Sequence, residues 1–189
     1  MTRMSRLLVL AVAVVLSASA CGGKDAFVAP PAVEKTLAPA KLLEDLDLYE
    51  NIDKRTVRAF ANAGENTLVA DGKIWEIRRA DRLIGTLQIS TVVPRVDLTD
   101  RRERDAIVQQ IVSGEVERLR INDVEVYSTI VNDKATFLWF GLDLLEVVQL
   151  KDKALDERYE EVATQIIGHQ ATVSAWKPLP LEAVDAEAG

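Results

Sequence analysis

The fold is decided by residues 115–150, EVERLRINDVEVYSTIVNDKATFLWFGLDLLEVVQL. Four strand-like runs, rich in β-branched, aromatic and aliphatic residues, follow one another: Glu115–Ile121, Val124–Val131, Ala135–Phe140 and Leu144–Leu150. Each separator contains Asn, Asp or Gly, which tolerate the positive φ angles that tight hairpins need. The pattern predicts a meander of four antiparallel strands. Residues 137–140 read FLWF, so we expect the third strand to be central or covered on both faces.

Two or three more strands are predicted upstream of the meander. Period-two alternation runs over Thr67–Arg79, where Asp71-Gly72 predicts a turn, and again over Leu83–Val93. In the second run the apolar residues Leu83, Leu87 and Ile89 alternate with Thr86, Gln88 and Ser90. We therefore expect this strand to have one dry face and one wet face, as antiparallel sheets allow.

Three segments have the period of an amphipathic helix: Ala40–Asp53, Asp97–Gly114 and Leu155–His169. In the second, Thr99 is the expected N-cap. The charged run that follows, RRERD at 101–105, is interpreted as a solvated helix face because acids and bases are interleaved in it. The single His of the chain, His169, is interpreted as a favourable charge at the C-terminal end of the third helix.

The order of these elements predicts an α+β fold. An antiparallel sheet of about five to seven strands, built from a hairpin, a helix, the four-strand meander and a C-terminal helix, would carry helices packed on it. In this order, residues 66–170 resemble small extracytoplasmic domains of the Mog1/PsbP-like kind, in which a bent antiparallel sheet is flanked by helices. The resemblance implies a fold and assigns no functional residue.

The N-terminus carries an export signal. Arg3 and Arg6 precede the apolar stretch Leu7–Leu16, and small residues lead from there to Cys21. Even counted through Ala20, the apolar run falls short of the roughly 20 residues that a bilayer-spanning helix needs. We expect residues 1–20 to be a removable signal peptide.

Ala18-Ser19-Ala20-Cys21 resembles the lipobox of bacterial lipoproteins, with Ala18 where Leu is usual. The resemblance implies that the Cys21 thiol receives a diacylglyceryl group, that Cys21 becomes the first residue of the mature chain, and that acyl chains such as palmitate hold the protein at the extracytoplasmic face of the cell membrane. The alternative is ordinary cleavage after Ala20, which leaves Cys21 as a free thiol.

The remaining boundaries follow from composition. Residues 21–39 are predicted to be the lipidated Cys and a Pro/Ala-rich tether, and residues 177–189 a disordered acidic tail. Residues 40–176 between them are predicted to form a single α+β domain with its core at 66–170. That length suits one domain and leaves little room for two.

Composition excludes several kinds of chemistry. One Cys and one His rule out cysteine-based zinc sites and multi-histidine metal centres, and no hydrolase, nucleotide-binding or calcium-binding motif is present. The net charge of −7 disfavours nucleic acid as a partner. Two carboxylate pairs, Asp97 with Asp100 and Asp143 with Glu146, are near enough in sequence for acid–base work. They are interpreted as turn, cap and wet strand positions, so we expect no enzyme, metal or cofactor.

The strongest functional indication is a set of apolar residues on the predicted sheet. Six residues are predicted to line a sheet face opposite the one that holds Phe137 and Trp139: Tyr127, Val131, Leu138, Phe140, Val148 and Leu150. If the helix at 40–53 leaves that face open, it is a lipid-accepting groove or a protein-docking surface. We expect a membrane-anchored accessory or binding domain that acts through contacts with a protein partner. The alternative is a carrier or sensor that holds a lipid or other apolar ligand between sheet and helices.

Overall fold

The computed structural model describes residues 37–51, 69–112, 114–131, 134–151 and 158–179, with the backbone alone at 69–71 and 131. The predicted signal peptide, Cys21, the tether as far as residue 36 and the tail from residue 180 lie outside the described residues. So do residues 52–53 of the first predicted helix, 67–68 of the first strand and 155–157 of the third helix.

The described residues form one seven-stranded antiparallel sheet and two helices. The strands are β1 Asp47–Asn51, β2 Val69–Arg79, β3 Arg82–Val92, β4 Glu117–Ile121, β5 Val124–Val131, β6 Lys134–Phe140 and β7 Leu144–Leu150. They lie in the order β1-β2-β3-β7-β6-β5-β4. Helix α1, Arg101–Ile111, joins β3 to β4, and helix α2, Tyr159–Gln170, follows β7. The predicted α+β class with an antiparallel sheet is confirmed.

The four-strand meander is also confirmed, with β4 pairing β5, β5 pairing β6 and β6 pairing β7. The two-residue turn between β4 and β5 has φ angles of 48° at Asn122 and 63° at Asp123. Positive φ at both central residues matches the right-handed twist of the strands, and this is the reason that Asn and Asp favour such hairpins. The last strand of the meander, β7, pairs with β3 and thereby joins the two halves of the sheet.

The predicted helix at Ala40–Asp53 is wrong. Leu42, Leu43 and Leu46 are buried, but they lie in turns, where the Leu46 N–H donates to the Leu43 carbonyl at 2.9 Å. The chain then enters β1, whose Leu48 is opposite Ile77 of β2. The outer edge of β2 provides hydrogen-bond partners for the backbone of this segment. Pairing with β2 therefore outweighs the local preference for a helix.

Two details of the upstream strands also differ from expectation. β2 runs through Asp71-Gly72 without turning, and a register shift between Val69 and Asp71 absorbs the irregularity. On β3 the face expected to be wet is buried at Gln88 and Ser90, where the Gln88 Nε2 donates to the Ser90 Oγ at 2.9 Å. Two polar side chains that hydrogen-bond to each other can be buried, whereas polar groups without a hydrogen-bond partner rarely are.

The sheet is covered on both sides, and the two sides are named here for the helices that pack on them. The α2 face holds Phe137 and Trp139 and packs against α2 and the turns at 37–46. The α1 face holds Leu138 and Phe140 and packs against Ile107 and neighbouring residues of α1. Residues 137–140 are each at most 2% exposed, so the prediction of a central strand with two apolar faces is confirmed.

The folded domain extends beyond both of its predicted boundaries. Leu37, expected in the tether, is 1% exposed and belongs to the core on the α2 face. At the other end, the Leu142 N–H donates to the Lys177 carbonyl at 2.9 Å, and Pro178 pairs with Gly141. Trp176 packs into the core on the α2 face and Leu179 against the core on the α1 face. We call Trp176–Leu179 the C-terminal clip, since it passes across the β6–β7 hairpin from one face to the other.

Two glycines give a matched test of this packing. A Cβ at Gly85 of β3 would overlap the Gln149 carbonyl oxygen and lie 2.8 Å from the Leu150 Cδ2, whereas a Cβ at Gly168 of α2 would meet nothing nearer than the Asn122 Nδ2 at 3.6 Å. Gly85→Ala is expected to destabilise the protein by about 3 kcal/mol through overpacking. Gly168→Ala is expected to stabilise it by about 1 kcal/mol, because Ala is the better helix former. Urea unfolding of the two variants measures both signs, and equal stabilities would contradict the β3–β7 register.

Candidate functional site

The residue that carries the strongest sequence signal, Cys21, lies outside the described residues. Within the described ranges, neither helix is long and apolar enough to cross a bilayer. Attachment of the protein to a membrane therefore stays a prediction from the leader sequence.

The six predicted groove residues do not share one face. Tyr127, Leu138 and Phe140 lie on the α1 face. Val148 and Leu150 lie on the α2 face, because Val148 is opposite Phe137 and Leu150 opposite Ala135. The β6–β7 hairpin pairs odd-numbered residues of β6 with even-numbered residues of β7. Even-numbered residues of β6 and even-numbered residues of β7 therefore lie on opposite faces of the sheet. The placement of Val148 and Leu150 beside Tyr127 is therefore wrong, and the side chain of Val131 lies outside the described part of the chain.

The five described members of that set are all core residues. Tyr127 and Phe140 are 2% exposed and the other three are fully buried. The rings of Tyr127 and Phe140 meet edge to face, with centroids 5.9 Å apart. Helix packing on each face fills the space that the prediction assigned to a ligand. Ligand binding by these residues stays a prediction.

The most unusual group in the described structure is the carboxyl of Glu146. It lies on β7 in phase with Leu144, Val148 and Leu150, so its side chain points into the core on the α2 face, and its exposure is 0%. Neither carboxyl oxygen has a well-formed hydrogen bond to any described residue. Burial raises the pKa of Glu146 well above its usual value, and the nearby Asp143 charge raises it further. Burial therefore favours the neutral, protonated form of this carboxyl over the charged form.

Polar side chains converge on Glu146 from three elements. Trp139 is its register partner on β6, and the Trp139 Nε1 donates to the Gln170 Oε1 of α2 at 2.9 Å. Trp176 of the clip lies beside the carboxyl, where its indole N–H acts against the effect of burial on the pKa of Glu146. The Gln170 Nε2 and Trp176 Nε1 are buried without a well-formed hydrogen bond to any described residue. We call these four side chains the Glu146 cluster.

The interpretation of Asp143 as a turn residue agrees with the structure, whereas the interpretation of Glu146 as a wet strand position is wrong. Asp143 is exposed in the hairpin, whereas Glu146 is sealed in the core. The sequence does indicate that Glu146 is buried, because residues 144, 148 and 150, which share its face of the strand, are all apolar. With one carboxyl buried and one in water, the pair lacks the shared access to a substrate that acid–base chemistry needs.

A second buried polar group lies on the α1 face. Arg104 is 1% exposed, so its interpretation as part of a solvated helix face is wrong. Its Nη1 donates to the Leu98 carbonyl at 2.7 Å, and its Nη2 lies 3.4 Å from the Glu125 Oε2. The Tyr127 hydroxyl donates to the same Glu125 oxygen at 3.1 Å, and burial together with the Glu125 charge raises the pKa of Tyr127. This network ties the start of α1 to β5 and has a structural role.

The cap of α1 also differs from expectation. The Asp100 Oδ1 accepts from the Arg102 N–H at 2.8 Å, so Asp100 is the N-cap and Thr99 is not. Thr99 instead donates its hydroxyl to the Asp97 Oδ1 at 2.6 Å. This bond and the one from the Thr99 N–H hold the pKa of Asp97 below its usual value. Asp97 and Asp100 therefore form the start of a helix, which accounts for both carboxylates without a reaction.

The surface of the β4–β5 hairpin has two adjoining hollows. Their volumes are about 600 and 340 Å³, and both are lined by Glu117, Ser128 and Ile130. Glu115 lines the first and Glu160 the second, and no Lys or Arg is among the described lining residues. Ile130 is 62% exposed, which is the largest exposure among the large apolar residues that the structure describes. An apolar side chain among carboxylates suits contact with a protein surface better than enclosure of an apolar ligand.

Over the described residues, no group of three or more His, Cys, Asp or Glu side chains is arranged to hold a metal ion. None of the family models matches this chain, and no curated protein or solved structure matches it either.

Proposed function

We propose that this protein is a membrane-anchored extracytoplasmic lipoprotein that acts as a non-enzymatic accessory or binding domain through contacts with another protein. One observation carries the proposal: the only Cys of the chain stands directly after an export leader and its small residues. In an exported chain a free thiol is a reactive liability, whereas acylation gives the thiol a role.

The filled core supports protein contact over transport of an apolar ligand. Both sheet faces are packed against helices, and the five described residues proposed to line a ligand groove are at most 2% exposed. The hollows that the described surface offers are open and carry carboxylates. The carrier or sensor of a lipid or other apolar ligand is therefore the second candidate, and it requires a cavity that opens on binding.

The first experiment is intact-mass analysis of the native membrane product. The proposal expects a chain that begins at Cys21 and carries the added mass of a diacylglyceryl group and its further acylation. A chain that begins at Met1, or one that ends its processing with an unmodified Cys21 thiol, would contradict the anchor.

The second experiment locates the partner. A photo-crosslinking amino acid is placed in turn at the four large apolar residues that are exposed within the described ranges, Tyr49, Leu83, Ile130 and Leu142. We expect Ile130 to crosslink one extracytoplasmic or membrane protein in cells, with Leu83, at 50% exposure, as the matched position distant in the sheet order. A stoichiometric lipid in native mass spectra of the protein, with no crosslinked protein at any position, would favour the carrier instead.

A further inference from the structure

The C-terminal clip and α2 together cover the Glu146 cluster. On one side of the carboxyl are the central strands, since Glu146 is opposite Ile89 of β3 and Trp139 of β6. On the other side is the C-terminal clip, which is held by the Leu142–Lys177 hydrogen bond and the bridge at Gly141. A four-residue clip opens at far lower cost than a central strand leaves its sheet.

We propose that Glu146 is the pH-sensitive latch of this clip: the neutral carboxyl lets Trp176–Leu179 close over it, and transfer of its proton to water opens the clip. This proposal does not depend on the proposed function. The clip, the carboxyl and the indole above it are described parts of one folded core.

The geometry makes closure and protonation dependent on one another. In the core, neither carboxyl oxygen of Glu146 has a well-formed hydrogen bond to replace the ones it would make to water. An unpaired buried charge is strongly disfavoured, so the closed clip disfavours ionisation of Glu146. The Trp176 N–H offers one donor to the charged form, but burial has the larger effect on the pKa of Glu146. Lifting Trp176 removes the indole from beside the carboxyl and requires no change in the pairing of β3, β6 and β7.

The neighbouring elements carry few charges that would stabilise a buried carboxylate. The hairpin contributes Asp143, whose negative charge opposes ionisation of Glu146. The last turn of α2 contains His169, the clip contains Lys177, and Lys73 lies one strand beyond Ile89. Lys73 is ion-paired with Glu50 at 3.9 Å. His169 is the only histidine of the chain, so the test includes it as a control.

The direction of the pH effect follows from linkage. The pKa of Glu146 is raised in the closed form and returns toward its usual value when water reaches it in the open form. The closed form is therefore unaffected by pH below the usual pKa and is progressively disfavoured above it. The ratio of open to closed clip rises tenfold for each pH unit until the pH passes the raised pKa, and it is constant beyond that.

Fluorine NMR of the purified full-length protein, with 5-fluorotryptophan at the three Trp positions, measures this ratio. The Trp176 signal is assigned by Trp176→Phe. On going from about pH 5 to about pH 10 we expect it to move from a buried to a solvent-like position, while the Trp75 signal stays fixed. Glu146→Gln, which imitates the neutral carboxyl, is expected to keep the clip closed at every pH.

Two further variants test whether ionisation of Glu146 itself sets the opening midpoint. Asp143→Asn removes a charge that raises the pKa of Glu146 in the closed form, so the closed clip tolerates the ionised carboxyl better and the opening midpoint is expected to move to higher pH. His169→Gln is expected to leave the midpoint where it is. A Trp176 signal that is independent of pH in the unmutated protein, or a Glu146→Gln protein that opens with the same midpoint, would overturn the latch. If Glu146→Gln fails to fold, the Asp143→Asn shift still decides the question.

Discussion

Cys21→Ser is expected to transfer the protein from the membrane fraction to the soluble extracytoplasmic fraction. Each buried methylene of an acyl chain contributes about 0.8 kcal/mol to membrane binding, and two or more chains give stable attachment where one does not. A Ser hydroxyl at this position does not receive the diacylglyceryl group, so all of that binding free energy is lost at once. Fractionation of cells followed by a high-salt wash measures the change.

The matched control for this substitution is Ala18→Leu, which gives the leader the residue usual in a lipobox. Ala18→Leu is expected to leave the protein in the membrane fraction and to raise the share of processed chain. If Cys21→Ser protein stays with washed membranes, attachment occurs through some part of the chain other than Cys21.

Arg104→Met is expected to destabilise the domain by about 3–5 kcal/mol, the usual loss when one partner of a buried ion pair is removed. Arg104 donates to the Leu98 and Thr99 carbonyls and faces Glu125, whose side chain is only 15% exposed. Met fills a similar volume but donates no hydrogen bond to the two carbonyls, and Glu125 loses its buried cationic partner. Chemical denaturation followed by circular dichroism measures the loss.

Arg102→Ala on the same helix is the control, because Arg102 is exposed and its change is expected to lie within about 0.5 kcal/mol of zero. Adding Glu125→Gln to Arg104→Met is expected to recover part of the lost stability, since the remaining buried charge is then removed. Equal effects of Arg104→Met and Arg102→Ala would show that the Arg104 side chain is solvated.

The meander was predictable because its information is local. The hairpin residues Asn122 and Asp123 and the apolar run at 137–140 specify strand, turn and central position within a few residues of one another. The prediction of a helix at 40–53 is wrong because the structure of this segment depends on distant residues. Leu42, Leu43 and Leu46 are buried as their hydrophobicity requires, but the backbone that carries them was decided by the distant edge of β2.

The candidate site shows the same division. Tyr127, Leu138 and Phe140 were correctly grouped on one face, since alternation within strands is local. Val148 was placed on the wrong face because pairing across the β6–β7 hairpin was needed to assign it. For Glu146 the charge predicts a solvated position, whereas its phase with the surrounding apolar residues places it in the core.

By itself the sequence determined the alternation within each strand, the turns of the meander and the apolar face of α2, and it predicts the leader with its single Cys21. The tertiary structure alone decided which face each strand presents, that Arg104 and Glu146 are buried, and that a C-terminal clip closes over Glu146. The physical reason is range: φ preferences and hydrophobic periodicity act within a few residues of the chain, whereas register and burial depend on which distant segments pack together.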